Sequence, residues 1–149
     1  MNDALAVEAQ AGEGVAVEVP LERLEAVAAL VLRERGVVRA ELSLTLLDDG
    51  EMTRLNRDYL GHEGTTDVVS FPLEAPGGVV IGDVYIGAEQ AARQASELGV
   101  PLEEELLRLA VHGTLHVLGF EHPEDGDRAG SEMYRLQEEL LARFLAGRG

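Results

Sequence analysis

The chain has 149 residues, 46% of them hydrophobic, which suits a single domain over residues 1–149 with a sizeable core. Its 28 acidic residues outnumber 12 basic ones, and a formal net charge of -16 opposes non-specific binding to a phosphate backbone at long range, so no DNA partner is expected. Cysteine is absent, which excludes disulfides and thiolate metal sites. No window approaches the roughly 18 apolar residues of a membrane span, so no membrane partner is expected, and the lack of cysteine makes a cytoplasmic location the expectation.

Residues 1–13 are small and polar-rich and read as a flexible tail. The alternation of Val15 to Val19 predicts a first strand. Pro20 opens a helix that presents Leu21, Leu24, Val27, Ala28 and Val31 on one face and ends near Gly36. Glu41 to Leu47 alternates again and predicts a second strand, after which Asp48 or Asp49 caps a short helix to Leu60. Asp67 to Pro72 reads as a third strand that stops at proline, and Val79 to Ile86 as a fourth, interrupted by Gly82. The segment from Ala88 to Leu98 is an amphipathic helix ending at Gly99, and Pro101 opens another that runs to about Leu118. Asp125 to Asp127 begin a final helix with Met133, Leu136, Leu140, Leu141 and Phe144 facing inward and Gly147 at its end. Strands and helices interleave early and helices gather late. The expected fold is therefore α+β, one mixed sheet of about four strands with helices packed on it.

Three of the four histidines lie within VHGTLHVLGFEH, residues 111–122. The helix that carries them is apolar nearly all round, as a buried central helix would be. Arg108, His112 and His116 recur at four-residue spacing and form a stripe on one face, with successive members about 6 Å apart along the axis. Two imidazoles so placed can reach one ion. Gly119 can stop the helix with a positive φ, and the returning chain brings His122 toward the same point, while Pro123 prevents the helix from resuming. This HxxxHxxxxxH site is zincin-like. Three imidazoles suit zinc first, one Zn2+ per chain, though nickel, copper or iron could also bind, and they leave a coordination position for water. Asp125 or Glu121 closing that position would instead make the metal structural. Glu121 could also orient a ligand histidine or accept a proton. His62 reads as a surface residue.

The ligand spacing equals that of the protease signature HExxHxxGxxH, but the residue after the first histidine is Gly113 where the protease has its glutamate base, so peptide hydrolysis is disfavoured. HGTLHVLGFEH closely resembles the YbeY family signature HGxLHLxGYDH, with Val117, Phe120 and Glu121 as mild replacements. Leu55 to Glu74, with its Thr-Asp-Val-x-Ser-Phe-Pro core, and Ile81 to Ile86, with its Gly-Asp pair, resemble two further blocks of that family. The resemblance implies a single α+β domain and zinc on His112, His116 and His122. It also implies metal-dependent cleavage of single-stranded RNA during maturation of ribosomal RNA in the small ribosomal subunit. The family commonly has an arginine where this chain has Leu60. Arg57 or Arg108 could take its part by meeting a phosphate. Thr66, Asp67 and Ser70 border the third strand and could line the cleft, and Asp83 reads as a turn residue. Composition supplies no basic face and no aromatic platform, since the chain has only 3 Tyr, 3 Phe and no Trp. A metallopeptidase using another base and a non-catalytic assembly factor with a structural metal are the rival readings.

Overall fold

The computed structural model describes residues 4–15, 18, 20–61, 64–73, 77–120 and 132–147. Four strands, β1 (Ala4–Ala11), β2 (Arg39–Leu47), β3 (Val68–Leu73) and β4 (Val80–Gly87), form one mixed sheet in the order β1-β2-β4-β3. β1 and β4 both run parallel to β2, and β3 pairs antiparallel with β4. The helices are α1 (Leu21–Glu34), α2 (Asp49–Leu60), α3 (Ala88–Leu98), α4 (Leu102–Val117) and α5 (Glu132–Gly147).

The expected α+β architecture and strand number are found, with four differences in detail. Residues 4–11 are not a tail. They form the edge strand β1, whose alternate residues Leu5, Val7 and Ala9 are half-buried against the core. The strand expected at Val15–Val19 falls partly outside the described residues, and Val15 and Glu18 lie in no strand. β3 does not stop at Pro72 but runs on to Leu73, as an edge strand permits, because a proline there need not donate to a second neighbour. β4 passes through Gly82 without interruption. The expected start of the last helix, Asp125 to Asp127, lies outside the described residues.

Strand periodicity sorts the sheet into two faces. Leu42, Leu44 and Leu46 of β2 and Val84 and Ile86 of β4 are buried and point toward Leu24, Val27, Val31 and Leu32 of α1 and toward α4. The opposite face carries Ser43 and Thr45 of β2 and Asp83 and Tyr85 of β4. There Phe71 makes edge contacts with Tyr59 and Tyr85, at centroid distances of 6.0 and 5.9 Å. Half of the aromatic residues thus gather on that face, which composition did not foretell.

Ten of the sixteen residues of α4 are buried. Its seat on the sheet is set by two complementary notches. A Cβ at Gly113 would stand 2.5 Å from Val84 Cγ1, and a Cβ at Gly82 would stand 2.7 Å from Val117 Cγ1. Glycine on the helix meets valine on the strand, and glycine on the strand meets valine on the helix. The spacings agree: four helical residues rise about 6 Å, and two strand residues rise about 6.6 Å. The pair therefore fixes both the height and the rotation of α4.

Replacing Gly113 by alanine should lower the unfolding free energy, because Val84 is fully buried and β-branched and cannot swing aside. Overpacking costs about 1–3 kcal/mol and outweighs the gain of about 1 kcal/mol from helix propensity. A double-mutant cycle by urea denaturation with Val84→Ala checks this. The penalty of Gly113→Ala should shrink or reverse once the opposing methyl groups are gone.

Candidate functional site

The notch rotates the neighbouring stripe of α4 away from the sheet. His112 and His116 each precede a sheet-facing residue by one position, about 100° around the axis. Both are half-buried, and their ring centroids lie 4.7 Å apart with planes at 79°. Arg108, a turn earlier, completes the stripe. α5 packs alongside α4, and between them opens a cleft of about 190 Å³ lined by Asp67, Arg108, His112, Tyr134 and Gln137 among others.

The helix ends as its glycine suggests. Gly119 has φ of 104°, its N–H donates to His116 O at 2.9 Å, and Phe120 N–H donates to Leu115 O at 3.1 Å. This pair of bonds is a Schellman stop, which satisfies the last carbonyls and turns the chain at the histidines. Residues 121–131 follow, and these are outside the described residues. His122, Glu121 and Asp125 are among them, and His62 is likewise outside the described residues. Among the described residues no group of three or more His, Asp or Glu side chains converges on a metal-sized point.

Arg108 is enclosed by acids. Its Nη1 donates to Glu105 at 2.7 Å, its Nη2 to Glu104 at 3.1 Å, and its Nε and Nη2 to the two oxygens of Glu138 at 2.9 and 3.3 Å. Glu105 is itself only 3% exposed and accepts a further bond from Gln94 on α3. Burial alone would lower the guanidinium pKa, but its hydrogen bonds to Glu138 and Glu105 more than offset this and hold it above the ordinary value. The guanidinium is committed to holding α3, α4 and α5 together, which disfavours a role in binding phosphate. Arg57 is an exposed residue of α2, ion-paired with its neighbour Asp58 at 3.1 Å, and is not among the residues lining the cleft.

His112 Nδ1 lies 2.6 Å from Gln137 Oε1. Gln137 Nε2 donates in turn to Glu138 Oε2 at 2.9 Å. Sequence reasoning passed over Gln137 and Glu138. The available signal was a polar residue inside the apolar stripe of α5, four residues after Met133 and four before Leu141. Of the residues bordering β3, Asp67 lines the cleft, and Ser70 Oγ donates to Gly113 O at 3.0 Å, tying β3 to α4. Thr66 meets the start of α3, where its carbonyl lies 2.9 Å from where a Gly87 Cβ would stand. Asp83 accepts from Ser43 Oγ at 2.7 Å on the opposite face of the sheet and lies away from the site. Position 113, where the protease signature has its base, faces Val84 rather than the cleft, so that mechanism has no room here.

Fold and cleft together define a class: a single-sheet α+β protein whose buried central helix carries paired imidazoles, one of which, His112, lines an acid-bordered cleft. The family model for Endoribonuclease YbeY matches residues 11–145. A protein of that name from Syntrophotalea carbinolica is 39% identical over 134 residues, covering 85% of this chain and 88% of the relative. Another from Aquifex aeolicus is 43% identical over 125 residues, covering 83% of each. A Thermotoga maritima protein solved in solution shares the fold, with a TM-score of 0.62 over 95% of this chain and 91% of that one, at 23% identity. The chain belongs to the YbeY endoribonuclease family.

The acid cage makes a stability prediction. Arg108→Met would leave Glu105 buried without its cation, and loss of one partner of a buried pair costs about 3–5 kcal/mol. Chemical denaturation should show a loss of that size, against less than about 1 kcal/mol for Arg57→Met, whose ion pair is exposed.

Proposed function

We propose that the chain is a zinc-dependent endoribonuclease that cuts single-stranded RNA in the maturation of ribosomal RNA of the small ribosomal subunit. The observation that carries this reading is the placement of His112 and His116 one turn apart on α4, with His112 lining a cleft, in a chain that belongs to an endoribonuclease family. His112, His116 and His122 are the proposed ligands of one zinc ion. The donor set fits: two imidazoles share a helix face at edge contact, and His112 Nδ1 is already engaged by Gln137, as an outer partner of a ligand histidine would be. A zinc ion held there supplies Lewis acidity toward a phosphodiester oxygen.

The chain's own groups do the rest. Gln137 holds the His112 ring, and α5 walls the cleft. Asp67 supplies a carboxylate at the rim. Arg108 offsets part of the negative charge of Glu104, Glu105 and Glu138 beside the cleft. Arg57 stays available on the surface as a phosphate contact, and Glu121 as a group beside the third ligand. A cytoplasmic setting suits a chain with no cysteine, and no described helix is long and apolar enough to cross a membrane.

Metal content and cleavage measured on one preparation test the proposal. The unmodified chain should carry one zinc and cut a single-stranded oligoribonucleotide. His116→Ala should lose the metal and more than about 100-fold in rate, since even an outer partner's loss costs about 10–100-fold. Bound zinc with no turnover on any RNA would favour a structural metal, and casein cleavage without RNA cleavage would favour a peptidase.

A charge of -16 makes a second, unusual prediction. Added monovalent salt shortens the Debye length from about 30 Å at 0.01 M to about 10 Å at 0.1 M. The kcat/KM on a short RNA should rise across that range, where a cationic nuclease would lose activity. Steady-state rates at constant divalent ion check it.

A further inference from the structure

We propose that Gln137 is a positioning residue that decides which nitrogen of His112 carries the proton, and hence which one offers its lone pair to a metal. This rests on His112 being a ligand and goes beyond that reading by assigning its tautomer and the residue that imposes it.

Gln137 is 5% exposed and sits among Met133, Leu140, Leu141 and Phe144. A buried primary amide has a donor end and an acceptor end, and either could face a histidine. Glu138 removes the ambiguity. Its carboxylate is ion-paired with Arg108 at 2.9 Å and can only accept, so the end of Gln137 that lies 2.9 Å from it must be the NH2 group. Reversing the amide would bring two acceptor oxygens together in place of a hydrogen bond, which is costly. The amide oxygen is thereby turned to His112 Nδ1 at 2.6 Å. An amide oxygen only accepts, so Nδ1 is the protonated nitrogen, and in the neutral ring the lone pair belongs to Nε2. Free histidine in water prefers the opposite form. The direction of each bond follows from the permanent charge of Arg108 at one end: the guanidinium donates to Glu138, Gln137 donates to Glu138, and His112 donates to Gln137.

Nitrogen-15 NMR of the metal-free full chain at about pH 8, where an imidazole of ordinary pKa is neutral, reads the tautomer directly. The His112→Ala spectrum identifies the signals. The unmodified chain should show His112 as the Nδ1–H form. Gln137→Leu, which lacks an acceptor, should move it toward Nε2–H. Gln137→Glu, which keeps an acceptor but gives up the bond to Glu138, should leave Nδ1 protonated. Zinc affinity, measured by competition with a chromophoric chelator, should fall about 10–100-fold in Gln137→Leu and recover most of that in Gln137→Glu. An Nε2–H form in the unmodified chain would overturn the proposal, and so would an unchanged tautomer in Gln137→Leu. If the leucine variant does not fold, the unmodified spectrum and the glutamate variant still decide. Failure of the metal reading looks different: the unmodified chain would take up no zinc while its His112 tautomer remained as assigned.

Discussion

The interlocked notches between α4 and β4 are the constraint on which the site depends. Gly113 accepts Val84, and Gly82 accepts Val117, at spacings that match along the two elements. Ser70 adds a hydrogen bond from β3 to the Gly113 carbonyl. A helix held this closely cannot rotate, because turning it by one residue would drive a Cβ into a strand. The helix face that carries the histidines is therefore aimed by sheet packing. The same rotation buries Leu106, Leu107, Ala110 and Leu115. Each fully buried leucine contributes about 1.5–3 kcal/mol through burial, so the energy that folds the protein also orients the imidazoles.

The acidic bias of the whole chain extends to this stripe, with one cation set among its acids. Three carboxylates, from Glu104, Glu105 and Glu138, surround a single guanidinium beside the cleft. Left unpaired, such acids would repel both each other and any phosphate. With Arg108 among them they become the rigid base of a donor chain that reaches His112 through Gln137. An arginine suits this place better than a lysine would, because its planar fork can meet three acids at once and keeps its charge when buried. The residue that the sequence offers as a phosphate contact is spent on assembling α3, α4 and α5.

Local rules made most of the elements legible. Asp48 caps α2 by accepting from Glu51 N–H at 2.9 Å, Gly99 closes α3 in the left-handed region, and Gly119 ends α4 with a positive φ, each as its residue type suggests. The errors share one cause, which is that the deciding partner is distant in sequence. β1 is alanine-rich and reads as a polar tail, and only its pairing with β2 makes it a strand. Gly82 suggests a break in β4, yet its missing side chain makes room for Val117, thirty-five positions on. Pro72 suggests a stop, but β3 is an edge strand, where a missing donor costs little. The Arg108, His112 and His116 stripe was visible from spacing alone. The role of Arg108 was not, because one of the acids around it, Glu138, comes from another helix, and neither was the engagement of His112 by Gln137.

The likeness to the protease signature shows how far spacing can carry a functional argument. Equal intervals between histidines mean equal helix faces, and hence the same possibility of holding an ion. They say nothing about the residue between them. In this chain the position after the first histidine is turned to the sheet and filled by Val84, so the glycine there is a packing requirement. A glutamate base could be introduced at that position only by moving α4 off the sheet, which would also displace His112 and His116. The chemistry open to the site is thus limited by the same contact that builds it. A carboxylate base for the site would have to come from a position other than 113.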